Sequence, residues 1–278
     1  MKIFDNIKSI GEELARFSGK RIGLVPTMGA LHNGHLSLID LAQKHCDIVV
    51  VSIFVNQKQF NNPEDYALYP NTFESDIKYL EDKKVDILFS PQVTEIYSNN
   101  FFTKINVSKL TDHLCGRSRV GHFDAVALIV TKLFNIIKPQ QAFFGEKDFQ
   151  QLRVIETLVK DLNIDVDIIA GGTIREAGGL AMSSRNSRLS DDGKKIAENI
   201  YCNLCLAKER IISGANIDKI LSETIRNLLA IGIEKVDYLQ VCNEEALQPI
   251  FSFNPNIKSR LFIAAHVDNI RLIDNIKL

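Results

Sequence analysis

No run of apolar residues in this chain approaches the roughly 18 that a membrane span requires, so no segment reads as crossing a bilayer. Cysteine is sparse and odd in number, with five scattered at positions 46, 115, 202, 205 and 242. That excludes a disulfide framework and sets a reducing cytoplasm as the expectation. One CxxC, Cys202-Asn203-Leu204-Cys205, falls in a helical pattern and has no second pair to complete a tetrahedral metal site. Charge of either sign is not in excess. A net charge of −1 implies no polyanion-binding surface and argues against RNA or DNA as main partner. The opening MKIFDNIKSIGEELARFSGK carries acids within its apolar stretch, unlike a signal peptide. There is no internal repeat and no low-complexity segment. There is also no G-x-x-x-x-G-K-[ST], so any phosphate handling must use another device.

What is present suits a soluble globular chain of one large or two modest domains: 278 residues, 45% hydrophobic and 24% charged. Ile7, Ile10, Leu14 and Phe17 recur at helical spacing, and Gly19 ends that helix. Ile22–Val25 reads as a strand stopped by Pro26, which has no N–H to donate. The β-branched run Asp47–Val55 reads as a buried parallel strand. Helix around 73–80, strand 85–89, helix 125–137 ended by Pro139, strand 141–144, helix 149–162 and strand 166–170 follow, with 92–123 irregular. Strands alternating with helices predict an α/β fold, a Rossmann-like doubly wound parallel sheet. After residue 189 the texture changes to two helices, 194–212 and 217–229, then strands at 236–241 and 260–267 with a hairpin-like remainder. The division predicted is a catalytic domain over 1–180 and a smaller α+β C-terminal lid domain over 181–278.

The chemistry concentrates at GLVPTMGALHNGHLSL, residues 23–38. It reads as strand, tight loop and helix. At such a junction free N–H groups and the positive end of a helix dipole face one point, which suits a phosphate. His32 and His35 lie three apart on one face of the first turn, where they can donate to phosphate oxygens. Gly34 lets a ligand approach the backbone. Three further stretches are polar in a way that suits ligands. Asn56 and Gln59 follow the second strand and offer uncharged donors and acceptors for a small polar acid. Arg119 presents a planar fork to a carboxylate or phosphate. Lys147 sits at a helix start after Gly145, where the dipole disfavours a cation unless an anion binds there.

These residues carry a resemblance. VPTMGALHNGH is similar to the signature of the pantoate–β-alanine ligase family within the nucleotidylyltransferase superfamily, whose mark is H-x-G-H after a first strand. The similarity continues through Phe54–Phe60, Arg119–Phe123, Phe144–Gln151 and Met182–Asn186, and resumes weakly at Arg271–Asn275. The resemblance implies ATP contacts from Met28, Gly29, Ala30, Leu31, His32, Asn33, Gly34 and His35, and from Gly145, Glu146, Lys147 and Asp148. Ile174 would reach adenine by its backbone. Met182, Ser183, Ser184 and Arg185 match a flexible loop that would close over departing pyrophosphate. Gln59 and Gln151 would hold pantoate, with Asn56, Tyr69, Arg119 and His122 lining the pantoate and β-alanine pocket. Asp76 would lie at the Mg²⁺ that accompanies ATP. Gln57, Val120, Gly171, Gly172 and Gly178 depart from the family pattern and put loop stiffness in question.

The implied reaction joins pantoate to β-alanine at the expense of ATP, giving AMP and pyrophosphate, with His32, His35, Lys147 and Arg185 as the catalytic set. The implied assembly is a homodimer. Two rivals stay open at this point. One is a superfamily enzyme transferring AMP or CMP to a phosphorylated acceptor, which would need a basic pocket where Asn56, Gln59 and Gln151 stand. The other is a catalytically silent nucleotide-binding module.

Overall fold

The computed structural model describes all 278 residues. In chain order the elements begin β1 (Lys2–Phe4), α1 (Ile7–Leu14), β2 (Ile22–Thr27), α2 (Asn33–His45), β3 (Ile48–Ile53), α3 (Pro63–Ala67), α4 (Phe73–Asp82) and β4 (Ile87–Phe89). They continue with α5 (Val93–Ile96), α6 (Leu114–Ser118), α7 (His122–Ile137), β5 (Gln141–Gly145), α8 (Phe149–Asp161) and β6 (Asp167–Gly171). The remainder is α9 (Asp191–Ile212), α10 (Ile217–Ile231), β7 (Lys235–Asn243), β8 (Ser259–Val267) and β9 (Ile270–Lys277).

Six strands form one parallel sheet in the order β1-β4-β3-β2-β5-β6. The chain leaves β2 toward β3 on one side and returns on the other as β5. The carboxyl end of β2 is therefore the switch point where such sheets bind ligands. The predicted Rossmann-like sheet is observed. Pro26 does not end β2, however, since it pairs in register with Ser52 of β3. The physical reason is one-sided pairing: β2 meets β5 only at Gly23 and Leu24, so the missing N–H falls where that ladder has already ended. The edge strand β1 was not foreseen; three residues carry too little pattern to read.

Core packing sets the loop above β2. Val25 and Leu31 are buried with Leu38, Ile39 and Ala42 of α2, Val49 and Val51 of β3, and Leu80 of α4. Gly171 matters to that seat. A Cβ there would come within 2.3 Å of the Leu38 side chain, so glycine lets α2 lie close to β6.

The chain divides into two compact units. The first comprises Met1–Val107, Val120–Glu146 and Val154–Gly172, and the second Ser108–Arg119, Lys147–Arg153 and Thr173–Leu278. These units interleave along the chain, where composition predicts a single cut after residue 180. Gln150 makes one of the ties. Its amide donates to the carbonyls of Leu110 (2.8 Å) and His113 (2.9 Å) and accepts the Cys115 N–H (2.9 Å), tying two early segments into one body. The second unit is built on the antiparallel sheet β7-β8-β9 and the helices α9 and α10. Its core includes Leu204, Ile211, Leu228, Val241, Leu261 and Ile263.

Candidate functional site

In the first unit the chain leaves β2 through two successive left-handed residues, Gly29 (φ 78°) and Ala30 (φ 51°), and enters α2 at His32. The alanine is the costly one, since its Cβ crowds the backbone there. His32 is the N-cap. Its Nδ1 accepts the Gly34 N–H at 3.1 Å, while His35 Nδ1 accepts the His32 N–H at 3.4 Å. Each ring therefore uses its unprotonated nitrogen on the backbone, in the manner of a capping box. A neutral imidazole that accepts at Nδ1 carries its proton on Nε2. The two rings, 4.1 Å apart at their centres, are set as a pair of N–H donors at a helix N-terminus, the arrangement an anion requires. The sequence pointed to these histidines. The tautomer is the added finding, and an N-capping histidine three residues before another is the signal that could have given it.

A relay of polar side chains fixes the neighbouring acid-binding candidates. Burial pushes the Tyr97 phenol up to about 12, against the lowering effect of its bond to Asn56, so it stays a donor. It donates to Asn56 Oδ1 at 3.0 Å. That orients the Asn56 amide, whose Nδ2 donates to Gln59 Oε1 (3.1 Å) and to the Ala125 carbonyl (3.2 Å). Gln59 Nε2 in turn donates to Met28 Sδ at 2.8 Å. His122 Nδ1 donates to the Gln59 carbonyl at 2.8 Å. Asn56 and His122, both expected to line the pocket, are buried, and the bonds they make orient Gln59 and its turn. Tyr69 packs edge-on against Phe60 at 5.7 Å. Gly145 closes β5, and a Cβ there would meet nothing within 4 Å, so the space over that strand end is open.

Asp76, expected at the Mg²⁺, is engaged by the loop itself. It is 1% exposed and accepts the N–H groups of Ala30 (2.9 Å) and Leu31 (2.8 Å) and the Thr72 hydroxyl (3.2 Å). Three of its roughly four lone-pair positions are spent on donors. No group of three or more His, Cys, Asp or Glu side chains could hold a metal ion. So engaged, the Asp76 carboxylate does not fit a ligand to Mg²⁺.

In the second unit two candidate loops share one support, on β9. Asn275 Nδ2 donates to the Lys147 carbonyl at 2.9 Å, and its Oδ1 accepts from Arg260 at 2.6 Å. Its neighbour Asp274 receives both arms of Arg175, at 2.6 and 2.9 Å. Arg175 pairs with Ala181 across a short bridge, and the Met182 N–H reaches the Ile174 carbonyl at 3.0 Å. Ile174 and Met182 are thus brought together at the root of the Ser-rich loop. Ser183 then caps the 3₁₀ turn Ser184–Arg188 by accepting the Arg185 N–H at 3.3 Å. The Lys147 ammonium lies 3.7 Å from Asp148. Arg119 ends α6, and Gln151 opens α8 next to Gln150. Sequence reasoning missed Gln150, Asp274 and Asn275 as supports. The faint similarity at Arg271–Asn275 was the one signal of the last two. Gly178 also finds a reason, because the Glu198 carboxylate occupies the place of its Cβ, at 1.9–2.5 Å.

Comparison with known proteins agrees with this architecture. The profile described as "Pantoate-beta-alanine ligase" matches residues 2–277. A pantothenate synthetase of Thermotoga petrophila is 47% identical over 279 residues, covering 99% of both chains. One of Acinetobacter baylyi is 49% identical over 265 residues, covering 95% of this chain and 93% of its own. The crystal structure of pantothenate synthetase from Thermus thermophilus superposes with a TM-score of 0.93 at 37% identity, over 100% of this chain and 99% of that one. A pantoate-beta-alanine ligase from Francisella tularensis, crystallised with beta-gamma ATP and beta-alanine, gives 0.85 at 39% identity, over 100% and 97%.

Proposed function

The chain belongs to the pantoate–β-alanine ligase family, and from that premise we propose how its own residues carry the reaction. It condenses pantoate with β-alanine, consuming ATP and releasing AMP and pyrophosphate. A carboxylate does not react with an amine at neutral pH, because oxide is a poor leaving group, so the carboxylate must first be activated. A pantoate carboxylate oxygen attacks the α-phosphorus of ATP, and the bond to the β-phosphate bridging oxygen breaks. The β-alanine nitrogen then attacks the acyl carbon of the pantoyl adenylate. The acyl C–O bond breaks, AMP leaves, and the nitrogen loses its proton.

The observation that carries this reading is the pair of Nε2–H donors on His32 and His35, locked by backbone bonds at the sheet's switch point. Charge grows on the α-phosphate oxygens as the oxygen attacks, and fixed donors there act without reorganising. In the proposal His32-Asn33-Gly34-His35 is the superfamily's signature. Met28–Leu31, Gly145, Glu146 and Asp148 contact ATP, Lys147 neutralises its phosphates, and the Ile174 backbone meets adenine. Met182, Ser183, Ser184 and Arg185 take the pyrophosphate. Gln59 and Gln151 bind pantoate, with Tyr69 and Arg119 beside them. Mg²⁺ arrives on the ATP phosphates, where it would neutralise further charge. A homodimer in the cytoplasm completes the proposal, supported by the family resemblance and the scattered cysteines.

The test is exchange of labelled pyrophosphate into ATP with pantoate present and β-alanine absent. Exchange that requires pantoate, and that slows in Arg185→Ala, is the expected result. ADP in place of AMP, or no exchange where the full reaction runs, would count against the adenylate route.

A further inference from the structure

We propose that Asp76 is a positioning residue, an internal anion that holds the phosphate loop in its left-handed turn and so aims His32 and His35, and that it does not ligate Mg²⁺. The inference rests on the ligase reading for what the loop does, but not for what holds it.

The carboxylate reaches the loop from α4, 45 residues further along the chain. Oδ2 takes the Ala30 N–H and Oδ1 the Leu31 N–H, so two consecutive amides converge on one charged group. Consecutive amides of this kind form an anion-binding concavity. Here the concavity is filled from below by the protein's own carboxylate. Gly29 makes room for it: a Cβ at Gly29 would stand 3.1 Å from Asp76 Oδ2 and 3.2 Å from Ile53. The left-handed Ala30, unfavourable by itself, is held in place by charge-assisted bonds to its own N–H and the next. His32, whose N–H and Nδ1 begin the reciprocal cap, follows directly. The buried charge is tolerated because Asp76 lies in the first turn of α4, where the helix dipole favours an anion, and because the Thr72 hydroxyl gives a third donor.

The same facts argue against a ligand role. Mg²⁺ keeps several waters and demands octahedral geometry. A 1% exposed carboxylate with donors on both oxygens offers neither a wet approach nor an open direction. The two N–H dipoles pointed at it would also meet a cation head-on.

The experiment compares Asp76→Asn, Asp76→Glu and Thr72→Val with the parent protein. Hydrogen exchange is followed without ligands for the peptide spanning Met28–His35. Asp76→Asn turns one acceptor into a donor facing an N–H. Exchange at Ala30 and Leu31 should quicken roughly tenfold or more, with β3 and α7 unchanged. Turnover should fall about 10²-fold, as misplaced catalytic donors cost. The pantoate KM and the half-saturating Mg²⁺ should both stay within about twofold, a split that a general folding defect would not give. Asp76→Glu, which would restore a metal ligand, should not restore turnover, because the added methylene displaces both oxygens from the loop amides. Thr72→Val, losing only the third donor, should move exchange and turnover in the same directions by less, and it decides the matter if Asp76→Asn does not fold. Unchanged loop exchange would overturn the proposal. So would a raised Mg²⁺ requirement that excess Mg²⁺ or the glutamate relieves. If the parent protein showed no pantoate-dependent exchange, the ligase reading would fall, while the amide exchange would still report what holds the loop.

Discussion

The two ends of α2 carry similar side chains and do opposite things. At its start stand His32 and His35; at its end stand Lys44 and His45. Around the second pair lies an open cleft of about 700 Å³, lined also by Gly19, Lys20, Arg21, Cys46, Asp47 and Gln140. By volume and charge that cleft is an attractive place for a phosphate. Its backbone says otherwise. A helix end presents carbonyls, which want donors and cations, and this chain supplies them. The Arg21 guanidinium donates to the His45 carbonyl at 3.3 Å, and the Arg21 N–H donates to Asp47 at 2.8 Å. At the helix start the backbone presents N–H groups, and the histidines turn their acceptor nitrogens to them. The backbone group on offer, more than the side-chain charge, decides which end of a helix suits an anion.

The sharpest way to break this contrast is His35→Ala. Turnover should drop by about 10²–10³, the usual result of removing one transition-state donor. The reciprocal cap adds something a surface histidine would not: a stability loss of about 1 kcal/mol, read from the denaturant midpoint. Near-normal turnover in the folded variant would remove His35 from the phosphate site. A smaller effect is expected from Gln59→Ala. It should weaken pantoate binding by about 1–3 kcal/mol by calorimetry, since Asn56 and Met28 lose a partner along with the substrate, and should leave ATP affinity unchanged. Equal loss for both substrates would show the relay to be a folding element only. The smallest effect belongs to the other end of the helix. Lys44→Ala with His45→Ala should leave turnover within about twofold and stability within about 0.5 kcal/mol. Inorganic phosphate should not protect the cleft from hydrogen exchange. A large loss of turnover there would end the distinction.

How much of this was legible beforehand follows from how local the cause was. The strand–loop–helix unit could be read because apolar spacing, Gly29, Gly34 and the two histidines all lie within one short stretch. Gly145–Asp148 could be read for the same reason. Pro26 misled, because whether a missing N–H matters depends on which neighbour strand still pairs at that residue. The loop contacts of Asp76 were hidden too: a buried acid in the first turn of a helix has the same letters around it as a solvated one, and its partners sit 45 and 46 residues away. The interleaved division of the chain was hidden because its ties are long-range: the Gln150 amide reaches back 35 to 40 residues, and Arg271 reaches Ser118 across 153. The family resemblance does not separate residues expected to touch substrate from those, such as Asn56 and His122, whose bonds orient another side chain.

The support that Asp274 and Asn275 give to two loops has a consequence in time. The Lys147 carbonyl and its Asn275 partner are 128 residues apart, and the partner is the later one. At a ribosomal rate of 5–20 residues per second, roughly 6 to 26 s separate their synthesis. Through that interval the lysine loop exists without its anchor, and Arg175 waits likewise for Asp274. Every strand of the parallel sheet and both histidines are synthesised before Asp274 and Asn275. Until β9 is made, neither loop has the partner that holds it.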